Sequence, residues 1–243
     1  MHQVPGIKAW IFAILTLSFA RVEAYSFVPT DAEWQSWPGY CQAKYAWTNI
    51  GKGSKFANVV GQAQKSELVQ WEASGIKGVH HYCAAMLYLK RAGLEQDPVR
   101  RRYILRDAHG ETQFSLSRSS NRSPFFAHLA IQMAAIMQEQ DEHDAALQML
   151  SDAIVAQPHN GVLYSAMAVM QRKLGRLDDA KQTLLQGNQA LDGKSAEINY
   201  NLGLISLELG EVDDAVKYAE SAYELGFPLP GLRMKLAKLG HRI

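Results

Sequence analysis

Excess charge of one sign, cysteine and catalytic signatures are all scarce in this chain. Lysine plus arginine number 25 against 24 aspartate plus glutamate, so no global field draws it towards nucleic acid or holds it on an anionic surface. No paired carboxylates, serine triad or metal-ligand motif rises above background, and no cofactor or metal is implied. The stretch "IGKGSK" at 50–55 lacks the glycine–lysine spacing of a phosphate loop and follows no strand pattern, so it reads as a flexible loop. Only two cysteines occur, and neither sits in a haem-attachment Cys-x-x-Cys-His pattern. With 47% hydrophobic and 20% charged residues over 243 positions, the composition suits one or two globular units and not a disordered chain.

The first residues carry a targeting pattern. Lys8 precedes an apolar run from Ala9 to Ala20, and Val22-Glu23-Ala24 supplies a small-x-small cleavage site. Residues 1–24 therefore read as a signal peptide, with a mature chain starting at Tyr25 and placed in the periplasm or secreted. The apolar run is short for a bilayer span, so stable membrane insertion after cleavage is not expected.

Export changes how Cys41 and Cys83 read, because an oxidising compartment favours joining them. Such a bond would stabilise by about 4 kcal/mol through loop closure, less any strain. An alternative centres on "GVHHYCAAM", where His80, His81 and Cys83 share a helix with Cys41 to be brought near. That set would make a metal site or an activated thiol, although no fourth ligand stands out.

What is abundant is repetition. Ala146, Ala180 and Ala215 recur 34 and 35 residues apart. Each follows a turn-like stretch and an acidic helix start, in "QDEHDAALQML", "LGRLDDAKQTL" and "LGEVDDAVKYA". Upstream of each lies another amphipathic run: 125–139, 162–174 and 197–209. Each period thus predicts a helix, a tight turn and a second helix.

This pattern resembles the tetratricopeptide repeat. Small residues stand at its eighth position (Ala134, Ala168, Gly203), its twentieth (Ala146, Ala180, Ala215) and its twenty-seventh (Ala153, Gly187, Ala222). Bulky apolar residues fill the seventh (Met133, Met167, Leu202), and Pro158 ends the first repeat. Departures are Ala219 at the twenty-fourth position, Asp192 and Phe227 in place of proline, and an aromatic fourth position kept only in Tyr164. The resemblance covers about Ala127 to Pro228 and implies an all-α stack of antiparallel helix hairpins. Its small residues are packing devices: the eighth faces the twentieth, and the twenty-seventh admits the next hairpin.

The expected organisation is a signal at 1–24, a Trp-rich helical segment with a divergent hairpin at 25–122, three repeats at 123–228 and a capping helix at 229–243. Trp34, Trp37, Trp47 and Trp71 crowd the second part, either as a small core stapled by the disulfide or as an exposed aromatic platform. "VRRRYILR" reads as a solvated helix face. Leu232, Leu236 and Leu239 form the apolar stripe of the cap, with Arg233, Lys235 and Lys238 beside it; a basic membrane- or calmodulin-binding helix is the rival reading.

The resemblance also implies a partner-binding groove. Its lining comes from the first helix of each hairpin: His128, Ile131, Ala135 and Gln138; Val162, Ser165, Val169 and Arg172; Glu197, Tyr200, Leu204 and Leu207. Ile131 and Ala135 stand where the chaperone-tail carboxylate clamp needs lysine and asparagine, so that variant is not expected. An apolar groove anchored by Tyr200 suits an amphipathic helix or extended apolar segment. The leading expectation is a non-enzymatic, exported scaffold that holds a protein or peptide, as in Gram-negative envelope assembly or secretion. The rivals are an enzyme or metal module on His80, His81, Cys83 and Cys41, and a homo-oligomer whose groove accepts its own N-terminal segment.

Overall fold

A computed structural model describes residues 28–243, all of whose regular elements are helices; the signal-peptide reading falls outside these residues. The chain is an all-α stack of antiparallel helix hairpins, with a disulfide-linked helical segment before it and a short helix after it. Four short helices come first: α1 (Asp31–Ser36), α2 (Gly39–Ala46), α3 (Asn49–Lys52) and α4 (Gln62–Ala73). Long hairpins follow as α5 (Val79–Leu94) with α6 (Pro98–Leu116), α7 (Phe126–Glu139) with α8 (His143–Ala156), α9 (Gly161–Lys173) with α10 (Leu177–Ala190), and α11 (Ala196–Glu208) with α12 (Val212–Glu224). Helix α13 (Gly231–Lys238) ends the series.

The three repeats turn by one device. Asp141, Gly175 and Gly210 hold left-handed φ angles of 63°, 74° and 80°. The next residue's N–H then bonds the carbonyl five residues back: Glu142 to Met137, Arg176 to Gln171 and Glu211 to Ser206, at 2.9, 2.9 and 2.8 Å. Such a cap satisfies carbonyls that a helix end leaves orphaned. It also reverses the chain tightly enough for the paired helices to touch along their length.

Close approach is where the small residues act. A Cβ on Gly203 would lie 2.5 Å from Leu232 Cδ2 and 3.3 Å from the Ala215 carbonyl. One on Gly187 would lie 2.7 Å from the Tyr164 ring and 2.9 Å from Ile198 Cδ1. These contacts join the eighth position to the twentieth and the twenty-seventh to the following hairpin. Ion pairs cross other seams: Arg101 to Glu139 between α6 and α7, and Lys181 of α10 to Glu211 and Asp214 at the start of α12.

The segment before the repeats is held differently. Cys41 and Cys83 are bonded, their Cα atoms 5.5 Å apart, tying α2 to α5. The Trp37 indole N–H donates to the Cys83 carbonyl at 3.1 Å, and Trp34 stacks on Phe56 at 4.3 Å. Trp34, Trp37, Tyr40, Tyr45 and Phe56 are all buried in one cluster that extends to Phe125 and Leu129. The tryptophans thus form a core; of the four, Trp47 alone is exposed. Arg91 grips Glu33 through two hydrogen bonds, at 2.7 and 2.9 Å, fastening α1 to α5. That grip, with help from the Thr30 N–H, holds the Glu33 carboxyl down at about 2.

Two expectations need correction. Residues 50–52 belong to α3 and are not a flexible loop: a Cβ on Gly51 would fall 1.8 Å from the Tyr45 carbonyl, so glycine there permits a tight backbone crossing. Leu239 is not part of the capping stripe; Leu232 and Leu236 are buried, while Leu239 follows the last helical turn and is exposed. Helix α4 adds an element that the sequence pattern does not announce, since Leu68 is its one fully buried residue.

Candidate functional site

The first helices of the hairpins, α7, α9 and α11, lie side by side, and the expected groove residues divide into three groups along them. Ile131, Ala135 and Gln138 on α7 are half-buried, and Leu204 on α11 is also half-buried. Val162 and Val169 on α9 are 46% and 40% exposed. Together these give a mostly apolar strip across successive helices. Arg172 and Glu197 are exposed at its margins.

A second group is closed off. Tyr200 is only 9% exposed, stacked on Phe227 at 4.1 Å and set edge-on to Tyr223. It shares a cluster with Leu232 and Leu236 of α13, and Leu204 and Leu207 pack against that cluster. Tyr200 is therefore part of the terminal core and does not serve as an exposed anchor. Its sequence position pointed to the groove, but the following helix covers that position on the last repeat. Ser165 is buried as well.

The third group is the other end. His128 meets Trp71 of α4, their rings 5.6 Å apart and nearly perpendicular, and also Phe125 at 5.0 Å. The aromatic segment thus reaches onto the start of α7, and it does so within one chain.

The cation on this face is paired within the chain. Arg172 donates from Nε to Glu208 Oε2 at 2.7 Å and pairs a second time through Nη2 with Oε1. That bidentate bond raises the Arg172 pKa further and leaves little unbalanced field. The repeat pattern gives no hint of Glu208, because it lies one place beyond the inward-facing set. Between α9 and α11 the crevice lined by Val169, Arg172, Asn201 and Leu204 holds about 10 Å³. A small-molecule site usually needs roughly 300 Å³ or more. The face suits a surface laid against it.

The alternative centre at His80 and His81 does not assemble. Both cysteine sulfurs are spent on each other. His81 Nδ1 is bonded to Glu111 and its ring lies 3.7 Å from Phe114, inside the α5–α6 hairpin. Burial, with the neighbouring charges of His81 and Lys44, lowers the His80 pKa to about 4, which keeps it neutral near pH 7. Among the described residues no three histidine, cysteine or acidic side chains are grouped to hold a metal.

The fold is a stack of helix hairpins in the tetratricopeptide arrangement. No protein-family model matches the chain, and no curated protein matches it by sequence. Among solved structures it is similar to PilF of Pseudomonas aeruginosa, at 21% identity over 70% of this chain and 69% of that one, with a TM-score of 0.48. A tetratricopeptide protein of Thermus thermophilus overlaps at 19% identity over 65% and 90%, TM-score 0.44. MamA of Desulfovibrio magneticus overlaps at 15% over 64% and 83%, TM-score 0.44.

Proposed function

We propose that this protein is an exported scaffold that holds an apolar segment of a partner protein against α7, α9 and α11. One observation carries the reading: Val162 and Val169 stand exposed beside Ile131, Ala135 and Leu204, although the same helices bury their other faces almost completely. Two exposed valines on one face of α9, between α7 and α11, favour an apolar contact of modest area, with Arg172 and Glu208 fixing the seam beneath. The occupied length is shorter than the repeat pattern implies, because Trp71 covers His128 at one end and Phe227 with α13 covers Tyr200 at the other. Placement in the periplasm or outside the cell, and a role in envelope assembly or secretion, belong to the same proposal and rest on residues 1–24.

A photocrosslinking side chain placed at Val169 tests it. Adducts should form there in living cells and be absent from the same probe at Val155, which is exposed on α8. Val162→Asp with Val169→Asp should abolish capture and leave melting nearly unchanged, whereas Leu202→Ala, at a fully buried site, should lower melting. Equal adducts at Val155 and Val169 would remove the α9 face from consideration.

A further inference from the structure

We propose that the outer face of α13 docks on an anionic lipid bilayer. Residues 225–243 contain no aspartate or glutamate but carry Arg233, Lys235, Lys238 and Arg242. None of these four takes part in a salt bridge with an acidic side chain among the described residues, whereas other basic side chains of the stack do. Leu232 and Leu236 point into the terminal core, so helical geometry turns Met234 and Lys238 outward, with Arg233 and Lys235 on the flanks.

Apolar side chains accompany the cations. Met234 is 59% exposed, Leu229 57% and Leu239 55%. The end helix of a stack ordinarily shows water a polar face. Here the outer face joins Met234 to cations of one sign, with Leu229 and Leu239 exposed just beyond the two ends of the helix, a combination suited to a headgroup boundary. The acids Glu220 and Glu224 line a crevice with Arg233 and Tyr223, and the Arg233 guanidinium lies over the Tyr223 ring at 4.1 Å. They offset Arg233 and leave the strip from Lys235 to Arg242 positive. No helix of the described residues is long and apolar enough to cross a membrane, so the contact would be peripheral. It is independent of the partner-binding reading, which uses other helices.

Co-sedimentation of the full chain with phosphatidylglycerol–phosphatidylcholine vesicles, against phosphatidylcholine alone, tests the proposal. Binding should occur to the anionic vesicles and fall as salt is raised. Each cation near a charged bilayer strengthens binding by about fivefold, so Lys235→Gln with Lys238→Gln should weaken it by roughly twenty-fivefold. Met234→Ser should weaken it further at high salt, where the apolar part dominates. Both variants should keep the wild-type melting curve, because they leave Leu232 and Leu236 in place. Arg100→Gln with Arg102→Gln on α6 should bind as wild type. The proposal is overturned by equal binding to both vesicle types, by no binding, by a loss that follows the α6 variant, or by binding to soluble poly-glutamate without binding to vesicles.

Discussion

Residues 28–122 bury indole and phenol rings around a disulfide, whereas residues 123–228 bury methyl groups and glycines at regular intervals. Both regions are helical, yet their cohesion differs in kind. In the first, large rings meet at irregular angles, Trp34 stacked on Phe56 and edge-on to Trp37. Its first four helices, α1 to α4, cannot bury much each, and the Cys41–Cys83 bond and the Glu33–Arg91 pair join them to α5, far along the sequence. In the second, one contact recurs with each turn of the stack, and neighbours supply what each hairpin lacks. Irregular packing depends on a few strong links, and repetitive packing depends on many equivalent weak ones.

The largest test of that contrast is the disulfide. Cys41→Ser with Cys83→Ser should cost about 2–4 kcal/mol. Hydrogen exchange should rise in α2, α4 and α5 while α9 to α12 stay protected. Uniform loss of protection along the chain would show that the two regions unfold as one.

Next comes a change that strikes the repeats. Gly203→Leu should destabilise by about 1–3 kcal/mol, because the added side chain meets Leu232 and the α12 backbone. Thermal melting should drop with the aromatic near-ultraviolet signal of the first region retained up to the transition. An unchanged melt would refute the packing register.

Acid should separate the regions more gently. His80 binds its proton less readily when folded, so its contribution is whole above the unfolded value of 6.5 and fades as pH falls towards about 4. Glu33 holds a depressed pKa, so its contribution is present above 4.5 and is lost as pH falls towards about 2. Both groups lie before the repeats, and both make stability rise with pH. Tryptophan fluorescence should therefore report loosening at a higher pH than helicity does, and Glu33→Gln should remove the lower step. Coincident transitions in wild type would break the comparison.

The smallest effect is expected at Asp141, the one non-glycine among the three left-handed turn positions. Asp141→Gly should raise stability by about 0.5 kcal/mol, since relief of the Cβ clash is partly offset by glycine's greater freedom when unfolded. A chemical denaturation midpoint that falls would mean the Asp141 side chain contributes more than its backbone strain costs.

The repeats were legible because their cause is local and periodic. Ala146, Ala180 and Ala215 mark helices that need close neighbours, and a glycine or aspartate ends the preceding helix at each step. The disulfide was legible for a different reason, since only two cysteines exist to pair. Helix α4 and the α3 turn were not, because Leu68 and Gly51 are isolated positions whose meaning depends on Tyr45 and on rings elsewhere.

The face proposed for binding shows the boundary most clearly. Sequence by itself determined the hairpin register, and with it that Ile131, Val162, Val169, Tyr200 and Leu204 lie on one side of their helices. Tertiary structure decided which of them remain open. Trp71 arrives at His128 from a distant helix, α13 folds over Tyr200, and Glu208 neutralises Arg172 across a seam. The reason is physical: periodicity records which face of a helix is apolar, and burial depends on which other part of the chain comes to cover it.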